Sequence, residues 1–112
     1  MNAIRKTTDL QHLPLVSYVV LTYNQEAFIE SAVKSALDQD YPNLEVLFSD
    51  DCSADDSWDI VRKIAGAHQT IHRIVMNRNP KNKGLASHIR HVADLANGDI
   101  LILAAGDDVA KP

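Results

Sequence analysis

One cysteine, Cys52, stands among 112 residues, so no disulfide can close within the chain and no cysteine-rich zinc site can form. That fits a reducing compartment. Glycine is nearly as scarce, with Gly66, Gly84, Gly98 and Gly106 the only four. Their spacing excludes the dinucleotide-binding fingerprint, and no Walker A loop is present. Positive charge is short as well: the formal net charge is −4, which argues against nucleic acid as the main partner. No stretch reaches the roughly 18 apolar residues of a transmembrane helix. The opening "MNAIRKTTDLQHLP" lacks a signal-peptide core. Residues 1–13 read as a flexible leader, and the protein as soluble and cytoplasmic.

What is present is enough for one domain with one core, at 46% hydrophobic residues. After Pro14, "LVSYVVLT" is β-branched and almost wholly apolar, as suits a strand covered on both faces. Apolar residues from Phe28 to Leu37 recur at helical spacing, predicting a helix over Glu26–Gln39 with Asn24 as its cap, stopped by "DYPN". "LEVLFS" is a second strand. Ser53 and Asp56 are spaced as a capping box for a helix from Ala54 to about Ala67. "IHRIVM" is a third strand and "NRNPKNKG" a loop of turn formers. Leu85–Ala96 is a third helix with an apolar stripe of Leu85, Ile89, Val92, Ala93 and Ala96, closed by Asn97 and a left-handed Gly98. "DILILAA" is the fourth strand. Alternating β and α elements with short links predict an α/β, Rossmann-like fold: a parallel four-stranded sheet, order 3-2-1-4, with helices on both faces.

Ligands of open α/β sheets sit beyond the carboxyl ends of the strands, and three polar clusters fall there. They are "TYN" with Thr22 and Tyr23, "SDDCS" with Asp50 and Asp51, and "GDD" with Asp107 and Asp108. Paired carboxylates repel unless a cation or hydrogen-bond donors lie near, and hard oxygen ligands suit Mg²⁺ or Mn²⁺. A solvated acidic turn is the plainer alternative for Asp107 and Asp108. Asp50 and Asp51 have two readings, a contact to a base or ribose or the capping of a helix, whose N-terminus favours negative charge. Tyr23 can stack on a base or close the core edge. Lys83 and Gly84 precede a helix N-terminus, which favours anions. His88 and His91 are three apart on one helix, but no third ligand has recognised spacing. Cys52 lies between acids, which disfavours a thiolate.

These stretches together resemble family 2 glycosyltransferases of the GT-A fold. "VSYVVLTYNQEAFIESAVKSALDQDYPNLEVLFSDDCSADDS" is similar to the opening of that family, "NKGLA" to its Asn-x-Gly helix entry, and "NGDILILAAGDDVAKP" to its strand ending in the acidic metal motif. The match runs over about residues 14–112, implying one nucleotide-sugar-binding part of a GT-A domain. The resemblance implies that Tyr23 packs near the base, Asp51 hydrogen-bonds it and Asp50 supports the loop. It implies that Asp107 and Asp108 meet the ribose or phosphate and a divalent ion, Mn²⁺ or Mg²⁺. Thr22, Lys83 and Gly84 complete the nucleotide-binding set. The family often begins its metal motif with an aspartate, where this chain has Ala105, and often carries an arginine early in the third helix, where His88 and Arg90 are the candidates.

The implied activity is inverting transfer of a sugar from a nucleotide sugar, UDP-linked, to an unknown acceptor glycan or lipid-linked saccharide at the inner face of the membrane. In that family the chain continues past the metal motif into the acceptor pocket and catalytic base. This chain is therefore expected to be the donor-binding half, inactive alone and prone to self-association through uncovered sheet. A non-catalytic nucleotide-binding or interaction module is the competing reading. A phosphoacceptor domain is a third, but it needs an aspartate after "IHRIVMN".

Overall fold

The computed structural model describes residues 13–105. The leader expected over residues 1–13 therefore lies outside them but for Leu13, and so do Gly106, Asp107 and Asp108. Four strands, β1 (Val16–Thr22), β2 (Leu44–Asp50), β3 (Arg73–Arg78) and β4 (Ile100–Ala105), alternate with α1 (Ile29–Leu37), α2 (Ser57–Ala67) and α3 (Leu85–Leu95). All pairings are parallel and the strand order is β3-β2-β1-β4, as expected. β1 and β2 are buried along nearly their whole length, which explains why their sequences are continuous apolar runs rather than alternating ones.

The chain steps outward from β1 to β3 and then returns to the other side of β1. Right-handed crossovers put the helices of the two directions on opposite faces. On one face Ile29, Ala32, Val33 and Ala36 of α1 and Val61 and Ala65 of α2 pack on Val20, Val46 and Phe48. On the other, Val92 of α3 packs on Val19 and Leu47. The buried stripe of α3 runs through His88 and Val92; Leu85 and Ala93, expected in it, are exposed. β4 is an edge strand, and Ile100, Leu101, Ile102 and Leu103 are 37–47% exposed. The expected self-association would require an uncovered apolar edge of this kind. Among the described residues no helix is long and apolar enough to cross a membrane.

Three local expectations are corrected. Asn24 does not cap α1: it adopts φ 52° and its Oδ1 accepts a hydrogen bond from the Ala54 N–H, 2.8 Å away. A turn over residues 25–28 precedes α1, which starts only at Ile29. Ser53 does not cap α2, because its hydroxyl donates to Asp50 at 2.5 Å and accepts from the Asn24 N–H; α2 starts at Ser57. Both potential caps serve contacts between loops instead. Gly98 is not left-handed: among the described glycines only Gly84 has a positive φ, of 82°. Gly98 is required for close approach, since a Cβ there would lie 2.5 Å from Ser17 Oγ, 2.6 Å from Ser17 N and 2.9 Å from the Leu15 carbonyl. Two of those atoms are backbone and cannot yield. Gly98→Ala should therefore destabilise the fold by about 1–3 kcal/mol, measured by urea denaturation.

At the amino ends of the strands, Glu45 is fully buried opposite Ser17. Its carboxylate accepts from Ser17 Oγ at 2.6 Å, from the Asn97 N–H at 2.7 Å and from Asn97 Nδ2 at 2.9 Å. Ser17 Oγ in turn accepts from the Gly98 N–H at 2.8 Å. This cluster ties the turn before β4 to the sheet centre and so sets the register of β4. Burial pushes the Glu45 pKa up, but the hydrogen bonds from Asn97 and Ser17 outweigh it and hold the carboxyl below its ordinary value.

Candidate functional site

At the opposite, carboxyl end of the sheet lies a cavity of about 440 Å³. It sits between the tips of β1 and β4, where the strand order reverses and open α/β sheets take their ligands. Thr22 and Tyr23 reach it from β1, Ala104 and Ala105 from β4, Asp51 from the end of β2, and Gly84, Leu85, His88 and Ile89 from α3. Five of the expected nucleotide-binding residues, Thr22, Tyr23, Asp51, Gly84 and His88, thus share one cavity. Tyr23 is half exposed at its mouth, while Thr22 is buried with an Oγ1 that has no hydrogen-bond partner.

The remaining candidates are placed differently. Asp50 lies beneath the cavity, fully buried, where its carboxylate accepts from the Ser53 N–H and hydroxyl and meets Arg78 Nε at 3.4 Å. Lys83 takes part through its backbone N–H, and Arg90 is exposed and outside the lining. Asp107 and Asp108 lie outside the described residues, among which no group of three metal-ligating side chains occurs. Their donor set remains chemically apt, since adjacent carboxylates supply the hard oxygens that Mg²⁺ and Mn²⁺ take.

Asp51 does more than either sequence reading assigned to it. It caps neither α2 nor a bare turn. Its Oδ1 accepts from Asn79 Nδ2 and the Lys83 N–H, both at 2.8 Å, and its Oδ2 from the Gly84 N–H at 3.0 Å. It thus pins the residue 79–84 loop and the entry to α3 against the tip of β2. Burial raises its pKa, and the hydrogen bonds from Asn79, Lys83 and Gly84 outweigh that and hold the carboxyl below its usual value. The chain turns away just after Asp51 through Cys52 in the left-handed region, φ 62°, whose thiol lies 3.6 Å from the Pro80 carbonyl.

His88 is 2% exposed, with Nε2 2.7 Å from Ser49 Oγ. Burial lowers its pKa; Asp51 and Asp50 oppose that, and His91 and Lys83 reinforce it. The ring is therefore neutral near pH 7. Ser49, Asn77 and Asn79, which surround His88 and Asp51, escaped the sequence reading. The one available signal was a polar Ser49 ending the otherwise apolar "VLF" run of β2.

Residues 17–112 match the family described as Glycosyl transferase family 2. The chain belongs to that family. It is 35% identical over 96 residues to the Escherichia coli UDP-Glc:alpha-D-GlcNAc-diphosphoundecaprenol beta-1,3-glucosyltransferase WfaP, covering 86% of this chain and 36% of that protein. Among solved structures it superposes on the mannosyltransferase PcManGT from Pyrobaculum calidifontis, in complex with GDP-Man and Mn²⁺, with TM-score 0.78 and 29% identity over 88% of this chain and 29% of that one. The S. aureus TarS 1–349 complex with UDP-GlcNAc gives TM-score 0.72 and 30% identity over 87% and 28%. The fold is thus the GT-A fold of these glycosyltransferases. The chain spans about a third of the length of these relatives.

Proposed function

We propose that this family 2 chain is the nucleotide-sugar-binding part of a glycosyltransferase and that residues 14–112 hold the nucleoside diphosphate of the donor. One observation carries the reading: a cavity at the sheet's switch point, walled by Thr22, Tyr23, Asp51, Gly84 and His88. Its apolar wall of Leu21, Leu85 and Ile89 suits a base, and its half-exposed tyrosine a stacking contact. The unpaired hydroxyl of Thr22 offers a hydrogen bond to the base or ribose. Uracil is the proposed base, as in the UDP donors that the WfaP and TarS names carry. Asp50 and Asp51 hold the loops, and Gly84 lets backbone approach the ligand; Lys83 and Arg90, neither of which lines the cavity, are proposed to meet the charge of the diphosphate from outside it.

Asp107 and Asp108 are proposed to hold Mn²⁺ or Mg²⁺ where β4 leads out of the sheet. When bound, the ion neutralises the diphosphate leaving group as the sugar–phosphate bond breaks. The acceptor is proposed to be a glycan or a lipid-linked saccharide, taken at the inner face of the membrane, and transfer to proceed with inversion. The described carboxylate of the cavity, Asp51, already accepts from three N–H donors that hold its pKa below the usual value, which makes it a poor base for the acceptor's proton. This chain alone is accordingly proposed to bind donor without transferring sugar, and to self-associate through β4. A non-catalytic nucleotide-binding module would share metal-dependent nucleotide binding with this reading and differ in lacking an acidic catalytic base.

Calorimetry with UDP tests the proposal. Binding should appear with Mn²⁺ or Mg²⁺ and be lost when the metal is chelated. Tyr23→Ala should weaken it about tenfold through lost stacking, with stability unchanged because the ring is outside the core. Equal binding of UDP with and without metal would refute the metal site, and GDP binding more tightly than UDP would refute the choice of base.

A further inference from the structure

Three buried or half-buried polar side chains, none of which lines the cavity, connect Asp51 to His88. They begin at a group whose hydrogen-bonding sense is fixed. An ionised carboxylate only accepts, so the Asn79 amide 2.8 Å from Asp51 Oδ1 presents its Nδ2 there. Asn79 Oδ1 is thereby turned to Asn77, which must present Nδ2 to it, at 3.1 Å. The second hydrogen of that Nδ2 goes to Ser49 Oγ, at 2.9 Å, across the β2–β3 pair. Ser49 Oγ then has one proton left to donate and His88 Nε2 at 2.7 Å to receive it. The reverse assignment, Nε2–H donating to Ser49, would leave the serine proton without an acceptor among the described residues. Ser49 and Asn79 are each 1% exposed, so an unpaired donor there is costly.

We propose that the Asp51 carboxylate, acting through Asn79, Asn77 and Ser49, holds His88 as the tautomer protonated on Nδ1, so that His88 offers one N–H donor to the nucleotide in the cavity. His88 Nδ1 has no protein partner among the described residues. Nor is it sealed off: the buried side-chain polar atoms left unpaired there are Thr22 Oγ1 and His72 Nδ1. Since His88 lines the cavity, its Nδ1–H faces the space the ligand takes, together with Thr22. The ligand group opposite is an acceptor, a base carbonyl or a ribose oxygen. Burial favours the neutral ring, and Asp51, Asp50, His91 and Lys83 are the charged and titratable groups that act on it. Ser49, Asn77 and Asn79 are positioning residues in this arrangement, and the donor role rests on the nucleotide-binding reading above.

The test separates the two. Two-bond proton–nitrogen NMR spectra of the ¹⁵N-histidine-labelled chain at pH 7 report which ring nitrogen carries the proton, with His88 assigned by signals lost in His88→Phe. Without nucleotide, His88 should be protonated on Nδ1 and bare on Nε2. Asn77→Asp replaces the donor to Ser49 by an acceptor, so the serine proton turns to the new carboxylate and Nε2 should gain a proton. A wild-type ring protonated on Nε2, or a bare Nε2 in Asn77→Asp, would overturn the relay. With UDP and Mg²⁺, His88→Phe should bind about tenfold more weakly, the size of one net hydrogen bond. Unchanged affinity beside the expected tautomer would overturn the donor role. Absence of UDP binding in the wild type would overturn the nucleotide-binding reading, and with it the donor role, while the tautomer spectra still decide the relay.

Discussion

Asp51→Asn should lower the affinity of the chain for UDP by about a hundredfold, close to 2.7 kcal/mol. The substitution keeps the shape and removes only acceptor capacity. One amide oxygen can still receive Asn79 or Lys83, but the new NH₂ group would face the Gly84 N–H that now donates to Oδ2 at 3.0 Å. Two donors then confront each other inside the wall of the cavity. The loop carrying Asn82, Gly84 and Leu85 loses its anchor, and the base contact that the family resemblance implies for Asp51 would be lost with it. Calorimetry gives the affinity, and urea denaturation gives the stability loss expected beside it. Affinity within threefold of wild type would show that the loop holds its place without the carboxylate and that Asp51 makes no ligand contact.

Glu45→Ala, at the far end of the sheet, should cost about 3–5 kcal/mol of stability, a large part of what a domain of this size has. It strips the acceptor from Ser17 Oγ, which is fully buried, and from the Asn97 N–H and Asn97 Nδ2, which are part-buried at the turn before β4. The fluorescence of Trp58, half-buried against the α1–α2 core, reports the unfolding. The pH dependence has a definite sign. The folded Glu45 pKa lies below its unfolded value, so its contribution is complete above about pH 4.3 and fades as pH falls through the folded pKa. The gap in stability between wild type and Glu45→Gln should therefore narrow in acid. A gap that widens there would mean the carboxyl is buried neutral.

Sheet order and helix placement were legible in the sequence because they follow from local signals that nothing in the fold contests. The runs "LVSYVVLT" and "LEVLFS" can only be covered strands, and the alternation with helices fixes parallel pairing. The helix starts were not legible, because a capping residue identifies itself only by what it binds. Asn24 and Ser53 have the right chemistry for caps, yet Ala54 and Asp50, some 30 and 3 residues away, claim them. The same holds for Gly98, whose role is set by the backbone of Ser17 and Leu15 on another strand. Thr22, Tyr23, Asp51 and Gly84 were named because each lies at a strand or helix end, and His88 through the family resemblance; their convergence on one cavity follows from the sheet order. The Ser49–Asn77 and Ser17–Glu45 contacts depend on strand register, which the sequence expresses only through the burial pattern along the strands.

The claim that this strand-tip cavity holds a nucleoside diphosphate is tested most directly by following backbone amide NMR signals while UDP and Mg²⁺ are added to the ¹⁵N-labelled chain. The amides of Thr22, Tyr23, Asp51, Gly84 and His88 should shift together along one saturating curve. Those of Gln69, Thr70, Ile71 and His72, which line a cleft before the amino end of β3, at the opposite end of the sheet, should stay where they are. Shifts confined to residues outside the cavity, or no shift at saturating UDP and Mg²⁺, would contradict the assignment.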